Sequence, residues 1–317
     1  MRRRTALAGI LSLGAPLFAG PSAIAGSSPN RADRAAPFPS AVRAILDLPE
    51  DRIDVGLAAL TFASVVHPRM DIAAYSARID QIVRDARTHM QRKPSRNYID
   101  ILMALNSYLF DVWGMHYDHS KDARGVQANY FLNGTLDTKK GMCITMPMLY
   151  LAVAQRLGLP IAPATAPQHT FLRYMRFMAP PHNIEVTSGG GVITDEGYIK
   201  KFSIPMRGVE SGAYLRTLKL REYLGVIMIQ TALVLHPAGH RREALAYFEK
   251  ARELDARDVV PLMYLGQYWR QEAHDAYVSG SADLAEAYYQ RGLAFQRQAK
   301  NLGFALNPLA SLPSGGP

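Results

Sequence analysis

Three side chains carry the chemistry this chain is able to offer: Cys143, His169 and Glu185. Cys143 lies in Gly141-Met142-Cys143-Ile144-Thr145, where a helix is expected to begin. Ile144, Met148, Leu149, Ala152, Val153 and Leu157 follow at helical spacing, and Gly158 stands in the usual stop position. The unpaired N–H groups of a helix start carry partial positive charge, which favours a thiolate and can hold an oxyanion. A thiol nucleophile also needs a base and a group to orient that base. His169 follows 26 residues later at the head of an expected strand, His169–Met175, and Glu185 another 16 on, inside a second, Asn183–Thr187. Adjacent antiparallel strands would set imidazole and carboxylate side by side, so that the acid fixes the imidazole tautomer. Asp195, past the Ser188-Gly189-Gly190-Gly191 turn, is the fallback acid. Asn133 and Gln168 are expected to line the cleft, binding substrate or donating to an oxyanion.

The surrounding elements must position these groups. Asp51–His67, Asp71–Met90 and Asn97–Trp113 read as helices, with Asp71 as an N-cap and Gly114 closing the third. A loop runs to Arg124, and Asn129–Gly141 reads as a short helical turn and loop. After Pro163 the hydrophobic period shortens, which gives the two strands, and Val192–Thr194 is expected to continue the sheet. From Thr217 the chain is helical again. There Ala244, Phe248 and Ala251 are echoed 41 residues later by Ala285, Tyr289 and Gly292. Small–aromatic–small at this spacing lets paired helices pack closely, the logic of tetratricopeptide-like repeats. Met142, Met146, Met148, Met175 and Met178 are expected to fill gaps in the core.

The chain has 317 residues, 48% of them hydrophobic, enough for a sizeable core. Its one cysteine rules out an intramolecular disulfide. Residues 1–25 read as a signal peptide: Arg2-Arg3-Arg4, an apolar run from Ala6 to Ala19, then Ala23-Ile24-Ala25 as a cleavage site. The run is too short for an ordinary membrane span, so no stable membrane insertion is expected after cleavage, and the product would be periplasmic or secreted. Cleavage would leave 33 basic against 27 acidic residues, a charge of +6. No dense basic stripe with interleaved aromatics appears, so nucleic acid is not an expected partner. His116 and His119 lack a further ligand set, and the glycine turn lacks the Lys-Ser/Thr of a phosphate loop, so neither metal nor cofactor is expected.

One stretch carries a family resemblance: Asn129-Tyr130-Phe131-Leu132-Asn133, then Gly141 to Thr145, then Leu149-Tyr150-Leu151-Ala152-Val153-Ala154-Gln155-Arg156-Leu157-Gly158-Leu159-Pro160, then His169-Thr170-Phe171-Leu172. It resembles the core of a bacterial transglutaminase-like family. Asp54–Ala86, with Asp71, Tyr75 and Asp80, is similar to that family's N-terminal helices, and the C-terminal helices to its tetratricopeptide-like tail. The resemblance implies an α+β fold: a helix-rich transglutaminase-like (papain-like) core with a small antiparallel sheet, then an α-helical segment. The expected organisation is a leader at 26–44, the transglutaminase-like domain at 45–215, tetratricopeptide-like helices at 216–303 and a loose tail at 304–317. It also implies Cys143, His169 and Glu185 as a catalytic set acting on amide bonds of a protein or peptide. Hydrolysis is preferred over acyl transfer, because water is the default acceptor and the sequence shows no site that binds an amine and excludes water. Two departures stand beside it. Some family members carry proline where this chain has Cys143, and the third residue is usually Asp, not Glu. The alternative is therefore a silent scaffold that binds a partner through its helical repeats.

Overall fold

A computed structural model describes residues 38–304. The expected signal peptide, most of the leader and the tail past Phe304 lie outside the described residues. Within the span expected as leader, α1 (Ser40–Leu46) is already helical, burying Val42, Ile45 and Leu46. Next come α2 (Val55–Ser64), capped by the Asp54 side chain, and α3 (Ile72–Gln91), capped by Asp71. The expected helix from Asp51 thus starts later, after a 3-10 turn at Glu50–Arg52. α4 (Tyr98–Asn106) passes into a π-helical stretch, Ser107–Val112. β1 (His116–Tyr117) lies in the expected loop and pairs in parallel with β2 (Lys140–Gly141), on the far side of α5 (Leu132–Thr138). The central helix is α6 (Thr145–Arg156), every residue of which from Thr145 to Ala154 is buried.

The sheet has three antiparallel strands in chain order: β3 (Ile161–Ala166), β4 (His169–Arg176) and β5 (Ala179–Ile184). β3 escaped the sequence reading because Pro163 interrupts it. Strand edges tolerate proline, and here the Pro163 carbonyl accepts from Leu218 N–H across that edge. β5 differs from the expected Asn183–Thr187: it starts earlier, takes in Pro180 and Pro181 beside a register shift, and ends at Ile184. Val192–Thr194 does not extend the sheet. One isolated bridge, Glu185 to Gly191, ends the pairing, and α7 (Asp195–Phe202) and α8 (Met206–Glu210) follow where no helix was expected.

The C-terminal segment is two helical hairpins, α9 (Leu220–Leu235) with α10 (Arg241–Leu254) and α11 (Val259–Val278) with α12 (Ala282–Asn301). The 41-residue echo extends further than the three positions read from sequence. Tyr223-Leu224-Gly225 recurs as Tyr264-Leu265-Gly266. A Cβ on Gly225 would stand 3.1 Å from the Ala251 carbonyl oxygen, and one on Gly266 would stand 3.2 Å from that of Gly292. Both hairpins therefore cross at equivalent small residues. One continuous hydrophobic core runs from α1 through α6 into these hairpins. Glu50 accepts from the Leu220 and Arg221 N–H groups at the start of α9, at 2.6 and 3.2 Å, where a carboxylate suits the helix dipole.

Gly266→Val would drive a branched side chain into the α12 backbone. Overpacking of this kind costs about 1–3 kcal/mol, and urea unfolding should show a loss in that range.

Candidate active site

Parallel pairing of β1 with β2 places Tyr117 opposite Gly141, two residues before Cys143. The chain then tightens: Met142 N–H donates to Thr145 Oγ1 at 3.1 Å, and a Cβ on Gly141 would lie 2.6 Å from Met146 Cγ. α6 begins at Thr145, so Cys143 sits in the turn just before the helix and not within it. Among the described residues, the N–H groups of Cys143 and Ile144 take no backbone partner. Pro147 lies in the first turn, where a helix N–H has no intrahelical acceptor to lose. The far end of α6 is clamped to the N-terminal helices. Arg156 reaches Asp54, Asp80 and the Ser76 carbonyl, while Gln155 pairs with the backbone of Ile53 and Val55.

His169 opens β4 after the two-residue turn Pro167-Gln168. Gln168 takes φ 53°, a left-handed conformation at the second turn position that glycine or asparagine adopts more readily. Its carbonyl accepts weakly from Cys143 Sγ at 3.6 Å, and its side chain is exposed at the rim of the cleft. The His169 ring stacks on Phe202 at 5.2 Å. Its Nε2 meets Glu185 Oε2 at 2.7 Å, with only 8% and 1% of the two side chains exposed. The Cys143 thiol lies close enough to act on the imidazole, and both side chains line one cleft. Sequence-distant Cys143, His169 and Glu185 are thus brought together.

Glu185 stands one residue past β5, capping the 3-10 turn Val186–Ser188. Its carboxylate is saturated. Oε2 accepts from His169 and from Tyr198 Oη (2.9 Å), and Oε1 accepts from the Thr187 N–H (3.1 Å) and hydroxyl (2.6 Å). Burial alone would push its pKa up, but these donors and the imidazole outweigh it and hold the carboxyl down near about 2. Burial likewise works against a charged His169, and the neighbouring Cys143 and Glu185 overcome it, raising the imidazole to about 9.

The three groups open on a cleft of about 530 Å³. One wall is the 117–130 segment, held by Asn129 Nδ2 donating to Asp118 Oδ2 and to the Ala123 carbonyl, both at 2.8 Å. The opposite wall comes from the C-terminal helices: Val226, Ile229, Gln230 and Leu233 of α9, with Val260 and Tyr264 of α11. Asp258, at the N-cap of α11, also faces the cleft, and burial raises its carboxyl to about 7.

Gln168 lines this cleft, but Asn133 does not. Asn133 sits on α5 with Oδ1 buried and without a hydrogen bond among the described residues. Asp195 is engaged elsewhere: both its carboxylate oxygens accept from Arg173 Nη2, at 2.6 and 2.8 Å. Three contributors escaped the sequence reading. Thr187, two residues after an acid, carried the local signal of a side chain-to-backbone turn. Tyr117 and Tyr198 carried none, since only β1–β2 pairing and the packing of α7 bring them in. Tyr117 faces Cys143 closely enough for burial and the thiol together to raise its pKa. Met146 and Met148 are buried as expected, but Met175 and Met178 are 38% and 90% exposed, because β4 has left the core by Met175.

Residues 73–210, a span that contains Cys143, His169 and Glu185, match a family model described as the transglutaminase-like superfamily. No curated protein matches the chain. Among solved structures, a crystal structure of menin that reveals the binding site for the Mixed Lineage Leukemia (MLL) protein aligns over 83% of this chain and 68% of its own, at 14% identity and a TM-score of 0.44. That likeness is too distant to carry an argument.

Glu185→Gln should lower the His169 pKa from about 9 toward its ordinary 6.5, read by NMR titration of the ring. The pair also links stability to pH. The depressed Glu185 contributes above pH 4.5 and loses its contribution as pH falls through about 2. The raised His169 contributes below pH 6.5 and loses its contribution as pH rises through about 9. The stability gap between parent and Glu185→Gln, roughly 3–5 kcal/mol for a broken buried pair, should therefore be widest between pH 4.5 and 6.5 and narrow outside it.

Proposed function

We propose that this chain is a thiol-dependent enzyme acting on amide bonds of a protein or peptide, with Cys143 as nucleophile, His169 as proton carrier and Glu185 as the group that orients His169. The observation that carries the reading is the set of Cys143, His169 and Glu185, opening on a cleft, with the distal carboxylate fully buried and saturated. A structural histidine has no need of a half-buried thiol beside it in a cleft and a saturated carboxylate on its Nε2. The match of residues 73–210 to the transglutaminase-like superfamily agrees with it.

Below about pH 9 the proton already rests on His169, so sulfur attacks the amide carbonyl as the thiolate, forming the C–S bond of a tetrahedral intermediate. The oxyanion is met by the Cys143 N–H and, from across the cleft, by the Tyr117 hydroxyl. His169 returns its proton to the leaving nitrogen as the C–N bond breaks, giving a thioester and a free amine. Water then attacks the thioester with His169 as base, releasing the acid and restoring the thiolate. Glu185 stabilises the imidazolium at each stage without taking its proton. The cleft opens to solvent beside exposed Gln168 and Lys201, which supports hydrolysis over transfer to an amine. The basic, apolar N-terminus supports export to the periplasm or beyond. The C-terminal helices wall the cleft directly, so a silent peptide-binding scaffold is the reading that remains if chemistry fails.

Iodoacetamide should alkylate Cys143 readily at pH 6–7, and His169→Ala should slow that reaction at least tenfold. With a library of peptide amides, Cys143→Ala should abolish turnover, and His169→Ala should lower kcat by about 10²–10⁴. Tyr117→Phe should lower kcat by about 10²–10³ with little change in KM, as removal of one oxyanion donor does. Alkylation that is slow and indifferent to His169, with no turnover of any peptide, would leave the scaffold reading.

A further inference from the structure

The tip of the β4–β5 hairpin is built against the usual rules of an exposed turn. Arg176 pairs with Ala179, so Phe177 and Met178 are the two turn residues. Such positions ordinarily hold Asn, Asp or Gly. Here Phe177 is 94% exposed and Met178 is 90% exposed. Met178 also holds φ 52°, a left-handed conformation that glycine adopts without strain. The chain thus keeps two large apolar side chains in water at a position where a small polar residue would fit the backbone better.

The ground around the tip is basic. The Arg176 guanidinium lies over the Tyr98 ring at 4.8 Å, and that ring meets Tyr174 and His182, each at 5.5 Å. Tyr98 is the first residue of α4, so the turn before it, with Arg92, Lys93 and Arg96, is brought to the base of the hairpin. All three are exposed, and neither they nor Arg176 form an ion pair among the described residues. Asp100, in the first turn of α4, already accepts from Ser95.

We infer that this end of the molecule docks on an anionic lipid bilayer, with Phe177 and Met178 entering the interface and Arg92, Lys93, Arg96 and Arg176 meeting the headgroups. Two apolar side chains on a convex tip are too small a patch for a stable protein interface, which takes about 800 Å² of complementary surface per partner. A bilayer demands no shape match and rewards apolar side chains inserted beside cations. Addition of a foreign strand to β5 is disfavoured, since Pro180 and Pro181 offer no N–H along that edge. No described helix is long and apolar enough to cross a membrane, so the attachment is peripheral.

The test uses the full chain with vesicles of phosphatidylcholine alone or with 30% phosphatidylglycerol. Sedimentation should show at least tenfold tighter binding to the anionic vesicles, weakened by salt. Phe177→Ser/Met178→Ser should lose at least tenfold, and Lys93→Glu/Arg96→Glu should erase the preference for anionic lipid. Any other lipid-seeking segment of the chain is separated by Phe177→Trp. Its emission, taken as the difference from the parent with its two tryptophans, should shift to the blue on binding and be quenched by brominated lipid. Unshifted emission from that tryptophan, or vesicle binding indifferent to the serine variant, would overturn the proposal. So would self-association that the serine variant abolishes in the absence of any vesicle binding.

Discussion

A carboxylate buried to 1% exposure is the constraint around which this structure is arranged. An ionised group in a low-dielectric interior is tolerated only when donors replace its lost water. Glu185 has four such donors, from His169, Tyr198 and twice from Thr187. That saturation keeps the acid charged, the charge raises the imidazole, and the imidazole faces Cys143. Remove the saturation and the set of groups has no electrostatic anchor.

Keeping the donors in place occupies much of the domain. The glycine turn folds back so that Glu185 N–H donates to the Gly191 carbonyl and Gly190 N–H to that of Glu185, at 2.7 and 3.0 Å. Asn106 grips the same turn through the Gly190 carbonyl and is itself held by Tyr150 of α6. Tyr198 arrives on α7, whose first residue, Asp195, is tied to the buried Arg173 of β4. The sheet strand that carries His169 therefore also holds the helix that serves Glu185. Cys143 is fixed from two directions, by the Gly141 turn on one side and by the Arg156 and Gln155 clamps at the other end of α6.

The C-terminal hairpins are more than an appendage. Their helices supply a wall of the cleft, and a single hydrophobic core joins them to the domain that bears Cys143. Small residues at the two helix crossings allow the close approach that turns two hairpins into a firm wall. The cleft beside the thiol is therefore built partly from residues far outside 73–210.

Some of this follows from sequence alone, because it depends on local rules. Asp71 and Asn97 cap helices wherever the chain is placed. The 3.6-residue period from Ile144 to Leu157 marks a buried helix, and the echo of Ala244, Phe248 and Ala251 marks close-packed hairpins. The residue types of Cys143, His169 and Glu185, with their order, pointed to one chemistry. Tertiary structure decided what depends on contacts between distant segments. Pro163 and Pro180-Pro181 hid two edge strands, since an edge forgives the missing N–H that a central strand would not. Asp195 could replace Glu185 on paper, yet packing gave it to Arg173. Asn133 turned away from the cleft, and Tyr117 and Tyr198 entered it. Met178 read as core by type, but it stands in water with Phe177 because the hairpin carries them past the end of the core. Residue type and spacing determine which groups are available and which helices form. Burial and partners, which no local pattern encodes, decide which of them meet.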